Sequence, residues 1–285
     1  IAPDRQRDFE FAPMIARVQA ENPCMTQAII YGDAPDGFLS FAELMDREPV
    51  ATADVLDAVE IDPTDPAVFQ LSGGTTGVPK LIPRTHNDYW LNSKLATQYT
   101  EVFEDSCLLL LLPIGHNLPL ACPGMQGFMM KGARVVLSTS TRPDNVFNLV
   151  EKHGVTHIHV VPALLIRWIN DPGITDYDLS SLRTLYLAGE RDDPDTINWA
   201  EAHLKIPVID NWWQTETGWP ICANPVGIET LPIKKGSPAR AMPGYEIAVL
   251  DDNNQPVGPN ETGAIVIKLP LPPGCLPDLW QNNEG

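Results

Sequence analysis

The chain has 285 residues, enough to bury one large core or two modest ones, and 44% of the residues are hydrophobic while 20% are charged. This composition is typical of a globular protein. The 37 acidic against 19 basic residues give a formal net charge of -18, which argues against nucleic acid and anionic membrane surfaces as partners.

The order of apolar runs and helical patterns divides the chain into three parts. Residues 1–65 are a partial lead-in, with amphipathic stretches near 11–21 and 41–47. Residues 66–240 predict an α/β core, a mostly parallel sheet layered with helices. Its predicted strands are 67–71, 80–83, 107–112, 134–138, 157–161, 182–188 and 207–210. Its predicted helices are 145–153, 163–170, 193–204 and one opened by Thr85 and Asp88 in capping-box spacing. Residues 241–285 predict a small antiparallel β subdomain, with strands at 246–250 and 264–269, and an extended tail.

The loop between the first two predicted core strands has the composition of a phosphate-binding loop. Glycines let backbone N–H groups converge on an anion, and hydroxyl groups add further donors. The loop residues with these properties are Ser72, Gly73, Gly74, Thr75, Thr76 and Gly77. They stand beside a lysine and an arginine, and Lys80 supplies the charge. The spacing matches neither the common phosphate loop nor a dinucleotide fingerprint. A surface turn is the alternative.

The string QLSGGTTGVPKLIPRTHNDY resembles the phosphate-loop signature of the adenylate-forming superfamily of acyl-CoA synthetases and aryl-acid AMP ligases, and looks most like 2,3-dihydroxybenzoate–AMP ligases. In that family the loop holds the β- and γ-phosphates of ATP while a carboxylate attacks the α-phosphate. The products are an acyl-adenylate and pyrophosphate. The resemblance implies this phosphate-binding role for Thr75, Thr76 and Lys80, and it implies ATP and Mg²⁺ as cofactors. CoA or a carrier protein would be the acceptor.

Two further candidates follow predicted strands in the middle of the chain. His116 and Asn117 resemble the substrate wall of aryl-acid ligases, where an asparagine meets a hydroxyl ortho to the carboxylate; a turn is the alternative. His157 and His159 flank Ile158 in a predicted strand, so both could face one side as metal ligands. Sheet histidines with satisfied hydrogen bonds are the alternative.

The segment DNWWQTETGW, residues 210–219, places Thr215 and Glu216 just past a strand, where open α/β sheets bind ligands. Glu216 is a candidate Mg²⁺ ligand, since Mg²⁺ needs only one or two carboxylates beside phosphate oxygens. A solvated loop is the alternative. The segment also resembles the family's aromatic-x-x-Thr-Glu motif. By that resemblance Thr215 contacts the α-phosphate, Glu216 holds Mg²⁺ and Trp212 stacks on adenine.

The two halves of the chain resemble different branches of the family. Residues up to about 182 resemble aryl-acid AMP ligases, whereas residues 183–284 resemble acetyl- and propionyl-CoA synthetases. In the second half, Gly189 and Glu190 match the adenine-side loop, for which an ordinary β–α turn is the alternative. Trp213 stands where aryl-acid enzymes have a small residue, and its indole would shorten the acyl pocket. Asn117 and Trp213 therefore indicate different substrates, and both an aryl acid and a short acyl acid remain open.

The predicted function is that of an ATP-dependent carboxylate-activating ligase. Against the family pattern we expect a truncated chain that stops before the ribose-binding aspartate, the domain hinge and the C-terminal lysine. A non-catalytic nucleotide-binding module and a structural α/β domain with a vestigial loop are the alternatives.

Compartment and redox state are expected from two further features. The longest apolar run, residues 107–113, is far shorter than the ~18 residues of a membrane span, and no charged-then-apolar leader opens the chain, so we expect a cytoplasmic protein. The five widely spaced cysteines predict free thiols.

Overall fold

A computed structural model describes residues 1–47, 53–71, 79–187, 194–206, 208–229, 231–232, 234, 236–276 and 279–280. The chain folds as two compact units, Ile1–Ile61 and Asp62–Gly285. The helices of the described residues are α1 (Ala12–Glu21), α2 (Phe41–Met45), α3 (Ala53–Asp57), α4 (His86–Tyr99), α5 (Asn117–Ala121), α6 (Gly124–Met130), α7 (Pro143–His153), α8 (Pro162–Ile169) and α9 (Pro194–Leu204), with a 3₁₀ turn at Pro172–Asp176.

The strands of the same described residues are β1 (Ala2–Pro3), β2 (Arg5–Gln6), β3 (Phe9–Glu10), β4 (Ile29–Tyr31), β5 (Leu39–Ser40), β6 (Pro66–Leu71), β7 (Leu81–Thr85), β8 (Cys107–Leu110), β9 (Arg134–Leu137), β10 (His157–Val160), β11 (Thr184–Leu187), β12 (Val208–Trp212), β13 (Cys222–Ala223), β14 (Arg240–Ala241), β15 (Ile247–Leu250) and β16 (Ala264–Ile267).

The first unit is a small α/β assembly. Its parallel sheet has the strand order β1-β4-β5, and β2 pairs with β3 beside it. Ile15 of α1 packs against Ala28 and Ile30 to form the core of this unit. Both amphipathic stretches seen in the sequence contain helices, α1 and α2.

The second unit opens with an antiparallel hairpin. Strands β6 and β7 pair so that Leu71 lies opposite Leu81, and the predicted phosphate loop connects them. Helix α4 follows β7 directly. Its predicted capping box is confirmed, because Thr85 Oγ1 accepts the Asp88 amide and the Asp88 carboxylate accepts the Thr85 amide.

A seven-stranded sheet in the order β14-β13-β12-β11-β10-β8-β9 forms the body of the second unit. Strands β12 to β9 are parallel, and helices form the connections between them, as parallel pairing requires. The two short strands β13 and β14 add to the edge of β12 in antiparallel orientation. The predicted α/β class with a mostly parallel sheet is therefore confirmed.

The two faces of this sheet differ in chemistry, because neighbouring residues of a strand point to opposite sides. One face presents aliphatic side chains such as Ile158 and Leu185 to α7, α8 and α9. The opposite face carries His157, His159 and Tyr186, whose rings contact one another. The Tyr186 hydroxyl donates to the Thr100 carbonyl at the end of α4, 3.0 Å away.

Strands β15 and β16 pair as the predicted antiparallel hairpin. The turn after β15 is closed by one carboxylate, since Asp251 Oδ1 accepts the amides of Asn253 at 2.9 Å and Gln255 at 2.8 Å. No helix among the described residues combines the length and the apolar character needed to cross a bilayer.

The interpretation of the sequence missed α5, α6, β13 and β14 in the second unit, and β1 to β5 and α3 in the first. Helix α6 has the sequence GMQGFMM, whose two glycines lower its intrinsic helix propensity, and α5 contains a proline. Burial supplies what the local sequence lacks, because Phe128 of α6 packs against Leu108 and Leu110 of β8.

Candidate active site

The chain turns sharply after β12, and residues 214–218 form what we call the Thr-Glu corner. Thr217 closes this turn. Its amide and its hydroxyl both donate to the Gln214 carbonyl, at 3.1 and 3.0 Å, and its Oγ1 lies 3.2 Å from the Gln214 amide. The corner sits at the carboxyl end of a strand of the parallel sheet, which is the ligand-binding edge of open α/β folds.

Side chains from distant parts of the chain bind four consecutive carbonyls of the corner. Arg84 Nη1 donates to the carbonyls of Thr215, at 3.2 Å, and Glu216, at 3.1 Å. The Tyr245 hydroxyl donates to the Thr217 carbonyl at 3.0 Å, and Asn117 Nδ2 reaches the Gly218 carbonyl at 3.5 Å. The position of the corner backbone is thus determined by tertiary contacts.

The C-terminal segment of the described chain completes this support. The Leu276 amide donates to the Glu216 carbonyl at 2.8 Å, and the Cys275 thiol lies 3.3 Å from the Thr217 carbonyl. Burial and the Cys275 contact raise the pKa of the Tyr245 hydroxyl, which keeps it protonated as a donor.

Arg84 joins the corner to the hairpin that carries the predicted phosphate loop. It lies on β7, is 0% exposed, and also donates through Nη2 to the Gly274 carbonyl. Its guanidinium lies 5.7 Å from the centroid of the Tyr89 ring, within the range of a cation–π contact. The arginine that the sequence places beside the phosphate loop is therefore buried and bound to backbone carbonyls.

The predicted phosphate-binding residues themselves lie outside the described residues. They are Ser72, Gly73, Gly74, Thr75, Thr76 and Gly77. Lys80 is described and lies exposed just before β7. Because Arg84 lies on the same strand, the base of this loop and the Thr-Glu corner belong to one connected structure.

Thr215 and Glu216 lie partly exposed at the corner. Within the described ranges, neither the Thr215 hydroxyl nor the Glu216 carboxylate has a hydrogen-bond or ion-pair partner. Their carbonyls are held while their side chains stay available, which is the arrangement expected of ligand-binding groups.

Trp212 and Trp213 point to different surroundings, as consecutive residues at a strand end must. Trp212 packs against the buried cluster that contains Trp219 and Tyr245, near the supports of the corner. Trp213 packs against Tyr89 of α4 and Ala121 of α5. The two predicted substrate-pocket residues Trp213 and Asn117 therefore lie near the same short helix.

Asn117 begins α5 and is 1% exposed, and exposed His116 precedes it at the N-cap position. The Asn117 Oδ1 atom is buried and has no hydrogen-bond partner among the described residues. A buried amide oxygen without a donor is uncommon and calls for an explanation, for example a ligand that supplies the donor. A cavity of about 20 Å³ beside Leu118, Cys122 and Trp213 has room for a water molecule but not for an aromatic ring.

The predicted adenine-side residues Gly189 and Glu190 lie outside the described residues. The strand that leads to them, β11, ends at Leu187, whose carbonyl accepts the side-chain amide of Asn211 at 2.8 Å. Asn211 immediately precedes Trp212, so β11 ends next to the strand that leads into the corner.

His157 and His159 face the same side of the sheet, as the alternation predicts. His157 Nδ1 lies 2.7 Å from Thr156 Oγ1, whereas both ring nitrogens of His159 lack a partner among the described residues. The satisfied-histidine interpretation thus fits His157 and is wrong for His159. Burial lowers the pKa of His157 to about 4 and that of His159 to about 3. No group of three metal-ligating side chains occurs in the described part of the chain.

Arg84, Tyr245 and Asn92 are site supports that the sequence interpretation missed. Asn92 of α4 is 0% exposed and donates to the Gly274 carbonyl at 3.2 Å. A charged residue in the apolar strand LIPRT is the only local signal for this network, and nothing near Arg84 in sequence indicates its acceptors.

The chain is similar to a known protein family, to curated proteins and to solved structures. The family model described as AMP-binding enzyme matches residues 4–272. Salicylyl-CoA synthase / salicylate adenylyltransferase from a Streptomyces species is 36% identical, over 95% of this chain and 49% of that protein. Acyl-CoA synthetase short-chain family member 3, mitochondrial, from Mus musculus is 35% identical, over 84% of this chain and 36% of that protein.

Among solved structures, the apo structure of MbtA from Mycobacterium smegmatis matches with a TM-score of 0.77 and 28% identity, over 98% of this chain and 49% of that chain. The chain thus spans about half the length, or less, of these relatives.

Proposed function

Because the chain belongs to the AMP-binding enzyme family, as its motifs predict, we propose that it activates a carboxylic acid with ATP. The carboxylate attacks the α-phosphate in line and forms an acyl- or aryl-adenylate, and pyrophosphate leaves. The observation that supports this most directly is the Arg84 link between the hairpin of the phosphate loop and the Thr-Glu corner.

The roles follow from position at this edge of the sheet. Lys80, with Thr75 and Thr76, would hold the departing pyrophosphate, and Thr215 would contact the α-phosphate. Trp212, with Gly189 and Glu190, would frame adenine. Catalysis by positioning and charge neutralisation requires groups held rigidly before the substrate arrives. The carbonyl contacts of the Thr-Glu corner supply that rigidity.

Glu216 is the proposed ligand of Mg²⁺. Its carboxylate has no partner among the described residues, and a single carboxylate beside phosphate oxygens fits the preference of this ion. When bound, Mg²⁺ neutralises phosphate charge. Arg84 and the Leu276 amide hold the Glu216 carbonyl, so the backbone that carries this side chain stays in one position.

We propose an aryl acid with an ortho hydroxyl as the substrate. The buried Asn117 Oδ1 has no donor among the described residues, and such a hydroxyl supplies one once the Trp213 side chain has moved to make room for the ring. The relative named for salicylate supports the same class. A short acyl acid is the second candidate, supported by the packing of Trp213 beside α5 and by the short-chain synthetase relative. CoA or a carrier protein is the proposed acceptor, and the cytoplasmic location stays a prediction.

Carboxylate-dependent exchange of labelled pyrophosphate into ATP tests the proposal. Salicylate, 2,3-dihydroxybenzoate, acetate and propionate should be compared, using this chain and a version extended to the length of its relatives. Exchange with any of these acids supports the ligase. Calorimetry with AMP and a non-hydrolysable acyl-adenylate separates the alternatives: binding without exchange in either version indicates a nucleotide-binding module. The absence of both, with Lys80→Ala changing only stability, indicates a structural domain.

Trp213→Gly tests which substrate class the pocket accepts. Removing the indole should widen acceptance toward aromatic acids in the exchange assay, because it opens space beside α5. Trp90→Ala is the control, since Trp90 is an exposed tryptophan of α4. An unchanged preference in Trp213→Gly would rule out Trp213 as the determinant.

A further inference from the structure

Arg84 is a buried cation, and its hydrogen-bond acceptors among the described residues are backbone carbonyls. They belong to Thr215, Glu216 and Gly274. Among the described residues, ion pairs join Arg5 to Glu10, Arg142 to Asp144, Arg183 to Asp105 and Lys268 to Glu246, all at exposed positions and none with Arg84. Burying a charge without a counter-ion is costly, and Arg84 Nε also lacks a hydrogen-bond partner among the described residues. The hydrogen bonds to the three carbonyls offset this cost, so the arginine and the segments that carry those carbonyls depend on one another.

The contacts of Arg84 join three segments that are far apart in the sequence. Strand β7 carries the arginine, the Thr-Glu corner lies 131 to 132 residues later, and Gly274 lies 190 residues later. Asn92 and Leu276 bond to the same carbonyls of Gly274 and Glu216. Arg84 is thus the one side chain of this described network that touches the hairpin, the corner and the C-terminal segment together.

We propose that Arg84 is a positioning residue for the nucleotide, an inference that rests on the proposed function. It holds the backbone of Thr215 and Glu216 at a fixed place relative to β7, whose start is also the end of the phosphate loop. Since Arg84 is fully buried, it does not touch the ligand itself. It acts by fixing the position of the Thr-Glu corner relative to strand β7.

The planar guanidinium is what this role needs. Its donors form a rigid fork that reaches several carbonyls at once, whereas a lysine ammonium is a compact point charge on a flexible stem. Arg84→Lys should therefore keep the charge but hold the Thr-Glu corner in its position only in part. Arg84→Met keeps an unbranched apolar stem, though a shorter one, and removes every donor.

The first test measures affinity for a non-hydrolysable acyl-adenylate by calorimetry. We expect Arg84→Met to bind about 10- to 100-fold more weakly, as for lost hydrogen bonds to a charged group, with Arg84→Lys between it and the unchanged chain. Arg142→Met is the matched control, because Arg142 is exposed and its side chain pairs with exposed Asp144. It should bind normally.

A double-mutant cycle separates positioning from general destabilisation. If Arg84 acts through the corner, adding Thr215→Ala to Arg84→Met should weaken binding much less than Thr215→Ala does alone. Additive losses, or an Arg84→Met affinity within about twofold of the unchanged chain, overturn the proposal. If Arg84→Met does not fold, the double-mutant cycle is measured with Arg84→Lys and Thr215→Ala and judged by the same criteria.

Hydrogen exchange without ligand tests whether Arg84 orders the corner, and this result does not depend on any enzymatic activity. Peptides covering residues 214–218 and 274–276 should exchange faster in the Arg84 variants, while peptides from α7 should not. If the unchanged chain binds no adenylate but this local loss occurs, positioning of the corner stands and the proposed function fails. If adenylate binds and the corner exchanges normally in the variants, the function stands and the role of Arg84 fails.

Discussion

The Thr-Glu corner and the Asp251 turn are both reversals of the chain after a strand, but they are stabilised in opposite ways. Asp251 accepts amides two and four residues away. The corner carbonyls accept donors that lie 28, 101, 131 and 132 residues away. The Asp251 turn is closed by its own sequence. The corner also has local bonds between Thr217 and Gln214, but the position of its carbonyls is fixed only when the unit around it has folded. A binding site built in the second way is rigid but sensitive to distant substitutions.

The largest expected effect comes from Gly218→Ala at the corner. Gly218 has φ +83°, and an added Cβ would lie 2.3 to 2.6 Å from the amide group of buried Asn92. Strain and displacement of Asn92 should together lower the free energy of unfolding by at least about 3 kcal/mol, measured by urea denaturation.

Gly154→Ala is the control for Gly218→Ala. Gly154 also has positive φ, at +60°, but an added Cβ would meet no atom within 4 Å. It should lose only about 1–2 kcal/mol, the conformational part of the cost. Equal losses in the two variants would show that the contact with Asn92 is unimportant.

As the pH falls, protonation linked to the buried histidines of the sheet should lower the free energy of unfolding before the exposed Asp251 turn loses its contribution. His157 and His159 stay neutral in the folded chain because burial lowers the pKa of both from 6.5, to about 4 and about 3. The unfolded chain binds protons below pH 6.5, so the free energy of unfolding should fall by roughly 1.4 kcal/mol per pH unit for each neutral histidine. Urea titrations between pH 7 and 4.5 would measure this slope.

One variant and one comparison sharpen the acid experiment. His159→Phe should flatten the slope, because it removes one of the two buried histidines that stay neutral in the folded chain. Asp251 responds later, because hydrogen bonds from Gln255 and Asn253 lower its pKa below 3.8. Its contribution is present above that pH and is lost only as the pH falls further. A pH slope unaffected by His159→Phe would contradict this assignment.

Tyr245→Phe should produce a smaller loss and a specific one. It removes the hydroxyl that donates to the Thr217 carbonyl, which should cost about 1–2 kcal/mol of stability. Tyr186→Phe removes an equivalent buried bond to the Thr100 carbonyl, away from the corner. Both variants should lose stability, but only Tyr245→Phe should weaken adenylate binding in calorimetry. Equal effects on binding would contradict the special status of the corner.

Asp251→Ala should have the smallest effect. The turn is exposed, and its loss removes local amide contacts without disturbing a distant element. We expect a small shift in the urea midpoint and unchanged adenylate affinity. Weaker binding in this variant would show that the turn and the corner are coupled.

The same contrast explains which features the sequence could predict. The capping box at Thr85 and the left-handed Gly154 at the end of α7 are local signals: α4 begins at the predicted cap, and α7 ends at the predicted residue and begins two residues before the predicted one. The strands of the parallel sheet were predicted from short apolar runs. Their exact ends differ by one to two residues, because pairing with neighbours decides where a strand stops.

The site was predictable only as a set of short motifs. The Thr-Glu motif and the Asn117 segment identified residues that the fold brings to one region. The supports from Arg84 and Tyr245 were not predictable, because a carbonyl acceptor leaves no mark on the sequence and these acceptors lie far along the chain. The phosphate-loop glycines and the residues Gly189 and Glu190 stay predictions.

The amide of Leu276 bonds to the Glu216 carbonyl, and this contact orders events during synthesis on the ribosome. Pairing of the parallel strands up to β12 uses only residues that are synthesised before the corner. The corner must wait until Gly274 and Leu276 have also emerged. During synthesis, the supports of the corner therefore become available only after the strands of the parallel sheet beneath it.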